Sequence, residues 1–277
     1  KKLCKAAGIY SDHDFVQSID RITNDIVKSI EEYCWDGNWY VRAFFEDGTP
    51  IGSHTSPECS IDSLAQSWSV ISGRGDKERA VSALESAVKR LVDFDKGIIK
   101  LLTPAFTGEH MNPGYIAAYP PGIRENGAQY THGSIWLAKA LLEFGWYDQG
   151  YELLNILNPI NHARTQQEVN MYKNEPYAVS ADIYTDDKNI GLGGWSFYTG
   201  SASWLYKTML EDFLGITRRG NMLIVNPRIP SSWPGYTIRY RFGNTVYHIE
   251  VKNKSKANME SKTIQLVDDG SEHKITI

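Results

Sequence analysis

The spacing of apolar residues changes once along this chain, near Gly220, and that change limits the fold more than any other feature. Before it, apolar residues recur every three to four positions; after it, they alternate. Segments 222–225, 237–242, 245–251, 263–267 and 274–277 read as strands, and Gly243-Asn244 is a two-residue hairpin turn between two of them. Helices followed by strands imply an α+β layout or two domains. The boundary is placed between 1–219, helical, and 220–277, a small antiparallel sheet module.

Within the helical part, Ser11 or Asp12 caps a helix running to about Tyr33. Phe15, Ile19, Ile22, Ile26, Ile30 and Tyr33 share one of its faces. A β-rich run, 39–45, lies between the turn signals Asp36-Gly37 and Asp47-Gly48. Ser60 is read as the cap of a second helix, 61–71, ended by Gly73. Asp76 starts a third, with Ala80, Leu84, Ala87, Val88 and Leu91 on one face. Residues 97–133 form a long, mostly non-helical connection, which in a compact domain is either functional or disordered, and its aromatic and polar content favours function. Helices are expected again at 134–145, 147–157, 175–183 and 201–213, the last stopped by Gly215. Short and long loops alternate, so antiparallel helix hairpins would gather their long loops at one end and build a site there.

Composition removes several function classes. The net charge is −4 with Lys and Arg scattered, which argues against nucleic acid. Cys4, Cys34 and Cys59 have no metal-ligand spacing and an odd count, so they read as free thiols in a reducing, cytoplasmic setting. No apolar run is long enough for a membrane span, and Lys1–Lys5 does not open a signal peptide. The chain reads as soluble, without membrane contact. Eight Trp and 16 Tyr supply flat rings of the kind that sugar clefts use as well as cores.

Three constellations could carry chemistry. Residues 124–132 place Arg124, Glu125, Gln129, Tyr130 and His132 on a turn-rich segment ahead of an apolar helix. Arg, Glu and Gln offer paired donors and acceptors for adjacent hydroxyls, and a His at a helix start can help hold an anion. Residues 193–204 place Thr199, Gly200 and Ser201 where the last helix begins, a plausible phosphate cradle or a plain N-cap. Asp182, among apolar neighbours, is expected to have a raised pKa. With Glu125 it could form a glycosidase-type carboxylate pair.

Five segments together resemble glycoside hydrolase family 94, the inverting β-glucoside phosphorylases. They are 35–43 (WDGNWYVRA), 66–73 (QSWSVISG), 119–132 (YPPGIRENGAQYTH), 175–184 (EPYAVSADIY) and 193–204 (GGWSFYTGSASW). The last two are similar to the β-1,2-glucan branch of that family. The resemblance implies a mainly α fold, part of an (α/α)6 toroid followed by a small β-sandwich module. It implies phosphorolysis of a β-linked glucan or disaccharide, with no cofactor, no metal and inorganic phosphate as co-substrate. His132, Thr199 and Gly200 would hold phosphate. Glu125 would contact the sugar, with Arg124, Gln129, Tyr130 and Asp182 as further substrate-binding positions. The family pattern departs at one point: its general acid is an Asp in a Gly-Asp-Trp-Asn-Asp-Gly type motif, which this sequence lacks. Neither 10–14 nor Asp36 matches it. The expectation is therefore a C-terminal part of a larger enzyme, inactive alone, that self-associates or meets the N-terminal part. Two alternatives stay open: an (α/α)6 inverting hydrolase using Glu125 and Asp182, and a non-catalytic carbohydrate-binding piece.

Overall fold

The computed structural model describes residues 2–197, 199–253 and 261–277; Tyr198 of the 193–204 segment lies outside them. The helices are α1 (Lys2–Ile9), α2 (His13–Tyr33), α3 (Ser63–Ile71), α4 (Lys77–Leu91), α5 (Thr131–Phe144), α6 (Tyr147–Leu157), α7 (Gln166–Tyr172) and α8 (Ser201–Lys207). A π-helical turn, Thr208–Phe213, continues α8. Helix α2 starts where expected, with the Asp12 carboxylate accepting from Phe15 N at 3.1 Å. None of its residues is buried: Phe15, Ile22 and Ile26 are 39%, 48% and 54% exposed.

Two expectations need correction, and one helix was not expected. Helix α3 begins at Ser63, not Ile61, because Asp62 is the cap, its Oδ1 accepting from Leu64 N at 2.7 Å. Ile61–Asp62 instead pairs with Leu102–Thr103. Segment 175–183 is not a helix, since its backbone groups are taken by neighbouring segments. Ala181 O accepts from Thr131 N at 3.0 Å, Ala181 N donates to Trp195 O at 2.6 Å, and Asp182–Ile183 pairs with Gln129–Tyr130. The polar run before it contains helix α7, signalled by a capping box of Thr165 and Glu168.

Helix α5 is the hub. Ile135, Leu137, Ala138, Ala140, Leu141 and Leu142 are fully buried, and α3, α6 and α8 pack against it. Gly145, in the left-handed conformation, ends α5 by donating to Leu141 O and Leu142 O, which turns the chain directly into α6.

The C-terminal strands are β1 (Ile216–Arg219), β2 (Met222–Val225), β3 (Gly235–Phe242), β4 (Thr245–Lys252), β5 (Lys262–Gln265) and β6 (Glu272–Thr276). They form two three-stranded sheets, β5-β2-β1 and β3-β4-β6. Both contribute to one apolar cluster, with Leu223, Val225 and Ile264 from one and Tyr247, Ile249 and Val251 from the other. The module is not wholly antiparallel: β6 runs parallel to β4, Val246 facing Glu272. The chain leaves for the other sheet at β5 and so returns in the direction of β4.

Helical and strand parts are joined closely. A methyl on Gly215 would lie 1.9 Å from Asn226 O, and its φ is +74°, so only glycine fits. Arg228 N donates to Phe213 O at 2.9 Å, the Tyr236 hydroxyl donates to Leu214 O, and Trp233 packs on Phe213 and Tyr151. Asp212 accepts from Lys139 Nζ at 2.6 Å and lies 3.6 Å from Arg228 Nη1, while Lys139 also reaches Glu143 at 2.8 Å.

Candidate functional site

The 119–130 loop is held in shape by Asn126, which is fully buried. Its Nδ2 donates to Phe106 O and Tyr119 O, both at 2.8 Å, and its Oδ1 accepts from Phe106 N at 2.7 Å. Gly122 N donates to Asn126 O at 2.7 Å and closes the turn. At its tip Arg124 has φ +49°, a conformation uncommon for a residue with a side chain. Its N–H donates to Asp182 Oδ2 at 3.2 Å, and its Nε lies 4.0 Å from Glu125 Oε2.

Asp182 faces Tyr130 across the two-residue ladder and is 1% exposed. Burial pushes its pKa up, opposed by the Arg124 guanidinium and by the Trp195 and Arg124 N–H groups. A methyl on Gly194 would lie 2.3 Å from its Oδ1, so that glycine lets the 182–195 segment fold over the carboxylate. Tyr130 is shifted up by burial and by the negative Glu125. Such a covered carboxylate is badly placed to activate a water opposite Glu125, which argues against the hydrolase pair.

His132 sits in the first turn of α5 and half of it is covered. Burial pushes its pKa down. A methyl on Gly200 would lie 3.4 Å from its Cε1, so the Thr199-Gly200 backbone passes directly by the ring. Thr199 Oγ1 accepts from Ser201 N at 3.1 Å and lies 2.7 Å from Ser201 Oγ. The structure thus brings His132, Thr199 and Gly200 together from segments far apart in sequence.

Glu125, Tyr130, His132, Arg42, Asp62 and Trp136 share the lining of a cavity of about 450 Å³. Three of the lining residues carry a buried polar atom without a hydrogen-bond partner, Glu125 Oε2, His132 Nε2 and Trp136 Nε1, and the neighbouring Arg124 Nε, Thr131 Oγ1 and Asp182 Oδ1 are in the same state. Buried polar atoms are normally hydrogen-bonded, so the three on this lining make the cavity the candidate binding site. One expected contact is not part of it. Gln129 is 1% exposed and its Oε1 accepts from Ile99 N at 2.8 Å, so it fastens the backbone instead of facing a substrate.

Arg42, Asp62 and Trp136 were not legible as site residues. Asp62 is 3% exposed; burial raises its pKa to about 6, against the pull of Arg42, whose Nε lies 3.6 Å away. The available signal was a capping-type Asp two residues before Leu64, as good a helix cap as Ser60. Asp36 is occupied elsewhere, accepting from His54 N at 2.5 Å and Ser53 Oγ at 3.0 Å.

A model of the glycosyl hydrolase 94 superfamily catalytic domain matches residues 1–215, and a model of the glycosyl hydrolase family 65 C-terminal domain matches residues 216–275. The chain is 45% identical over 229 residues to the cyclic beta-(1,2)-glucan synthase NdvB of Rhizobium meliloti (strain 1021), covering 83% of this chain and 8% of that protein. It is 29% identical over 270 residues to a 3-O-beta-D-glucopyranosyl-beta-D-glucuronide phosphorylase of Paenibacillus borealis, covering 96% of this chain and 34% of that one. It is 26% identical over 254 residues to an N,N'-diacetylchitobiose phosphorylase of Vibrio proteolyticus, covering 91% and 31%. The chain therefore spans about a third of these phosphorylases and less than a tenth of the synthase.

Proposed function

The chain belongs to the glycosyl hydrolase 94 superfamily, and from that membership we propose that it carries the phosphate and sugar contacts of an inverting β-glucoside phosphorylase. The observation that carries this reading is the cavity lined by Glu125, His132 and Trp136, each with an unpartnered buried polar atom, with Gly200 beside the His132 ring. Inorganic phosphate is held by His132, Thr199 and Gly200. Arg124, Glu125, Tyr130 and Asp182 hold the sugar; Asp182 acts mainly by fixing the Arg124 backbone. A phosphate oxygen attacks the anomeric carbon from the face opposite the leaving group. The glycosidic C–O bond breaks, its oxygen takes a proton from a general acid, and α-glucose 1-phosphate leaves with a shortened glucan. Phosphate is already an anionic nucleophile, so no carboxylate base is needed, in contrast to the two-carboxylate hydrolases. Positioning of that nucleophile supplies much of the rate.

The 45% identity to a cyclic beta-(1,2)-glucan synthase directs the choice of sugar to β-1,2-linked glucans. The general acid comes from outside this sequence. On this reading the helical part is a portion of an (α/α)6 toroid and the strand module a small β-sandwich; the module begins at Ile216 and not at 220, because Ile216–Arg219 pairs with Met222–Val225. The exposed apolar stripe of α2 then meets the N-terminal part of the toroid, or a second copy when that part is absent.

Two measurements test this. Inorganic phosphate titrated into the chain should bind, and His132→Ala and Thr199→Val should each weaken it at least about tenfold, as expected for losing one hydrogen bond to an anion. Equal binding by all three proteins refutes the phosphate site. The chain alone should release no phosphate from α-glucose 1-phosphate and a β-1,2-glucan acceptor. Phosphate release would overturn the assignment of the acid to another segment, and sugar release without phosphate would favour the hydrolase.

A further inference from the structure

The ring of His132 packs edge-on against Trp136, one helical turn along α5, at 4.6 Å between centroids, and lies tilted to Trp204 of α8 at 5.8 Å. The two indoles meet each other at 5.7 Å and 88°, and Trp68 of α3 closes on Trp136 at 5.3 Å and 80°. Three helices thus contribute one indole each to a single block, and the imidazole rests on it. The Gly200 backbone runs beside the ring's Cε1 and Nδ1 edge, where an added methyl would just reach contact at 3.4 and 3.6 Å. The His132 Nε2 and the Trp136 Nε1 are both buried and unpartnered.

The charged and titratable groups that share its cavity are Arg42, Cys59, Asp62, Tyr115, Glu125 and Tyr130. Their ion pairs run from Asp62 to Arg42 and from Glu125 to Arg124, and among the described residues no carboxylate forms one with His132. Removal from water is the cause that acts on the imidazole, and it disfavours the charged ring.

Resting on the phosphorylase reading, we propose that Trp136 and Trp204 are positioning residues that clamp His132 as a neutral imidazole, so that the phosphate is received by an N–H group and not by a positive charge. An imidazolium would tighten the ground-state hold on the dianion and draw electron density from the attacking oxygen. A neutral donor orients the nucleophile without that cost, because binding that is equally strong before the transition state adds nothing to the rate. Neither indole needs to touch phosphate or sugar for this. The indoles set the place and the protonation of the group that does.

The test uses the whole chain and two readouts: the titration of the His132 ring by NMR, and the affinity for inorganic phosphate between about pH 6 and about pH 7.5. In the wild type the ring should titrate below the ordinary imidazole value. In Trp136→Leu and Trp204→Leu it should move up toward that value, and each variant should gain at least about threefold in phosphate affinity, relative to the wild type, on going to the lower pH. Trp204→Phe, which keeps an aromatic face, should stay near the wild type. A wild-type ring that titrates at or above the ordinary value overturns the clamp. So does an unchanged titration in a Leu variant whose circular dichroism is native. If a Leu variant fails to fold, the wild-type and Trp204→Phe titrations still decide. Absence of phosphate binding at every pH refutes the phosphorylase reading instead, while the ring titration continues to report on the clamp.

Discussion

Replacing Asp62 with Asn should stabilise the chain at neutral pH and leave it unchanged in acid. Asp62 is 3% exposed, and burial raises its carboxyl from 3.8 to about 6 in spite of the Arg42 guanidinium and the Leu64 N–H. The unfolded chain therefore ionises this group more readily than the folded one. The stability lost by holding the carboxylate grows as pH rises from about 4 through about 6 and is constant above that. At about 1.4 kcal/mol for each pH unit between the two values, the loss is about 3 kcal/mol, an upper figure for a buried group. Asn keeps the helix cap, since its side-chain oxygen can still accept from Leu64 N. Arg42, which is 44% exposed, stays hydrated when its partner is neutralised. Urea unfolding followed by tryptophan fluorescence is the assay, and all eight Trp lie at or before position 233, in or against the helical part. Asp62→Asn and the wild type should unfold alike near pH 4, with the variant ahead by up to about 3 kcal/mol near pH 7.5. A variant no more stable near pH 7.5, or a gap of equal size at both pH values, refutes the reasoning. A buried carboxyl shifted this far in a cavity makes Asp62 a candidate site residue besides its place as the α3 cap.

Three further substitutions probe the frame of the site. Asn126→Ala removes three buried hydrogen bonds and strands the Phe106 and Tyr119 backbone groups, which should cost about 3 kcal/mol and make the 119–130 loop sensitive to protease; a loop that stays resistant contradicts its role as the staple. Asp212→Ala leaves Lys139 and Arg228 short of a partner and should cost about 3 kcal/mol in urea unfolding, most of it recovered in the Asp212→Ala, Lys139→Met double variant. Gly215→Ala places a methyl against Asn226 O at positive φ and should cost at least about 3 kcal/mol in thermal unfolding; a shift within the error of the wild type would show that the joint yields.

What could be read in the sequence was what local chemistry decides. Helix α2 and its Asp12 cap, helix α4 with its Asp76 cap, and the Gly243-Asn244 hairpin all follow from spacing and turn residues. Arg124, Glu125 and His132 stood out as candidates in a dense polar segment ahead of an apolar helix, and the structure places Glu125 and His132 on one cavity with Arg124 beside Glu125. The segment 175–183 was misread because its helical composition is overridden by hydrogen bonds to Thr131 and Trp195, which lie far away in sequence. Gln129 was misread for the related reason that a polar side chain can serve a buried backbone N–H as well as a ligand. Asp62, Arg42 and Trp136 join the cavity only through the packing of α3 on α5, and no local pattern encodes that.

Tyr130 and Asp182 face each other across a two-residue ladder, and Thr131 N is bonded to Ala181 O. The walls they belong to are therefore inherited as a pair. A chimera of two relatives with its crossover between 131 and 181 would join an Arg124 loop from one parent to an Asp182 segment from the other, with a mismatched seam under the Arg124 tip. A crossover before 119 or after 195 carries both walls together. Changes to the shape of this cavity should be tolerated as exchange of the whole 119–195 block, or as paired changes on either side of the ladder, more readily than as single replacements in one loop.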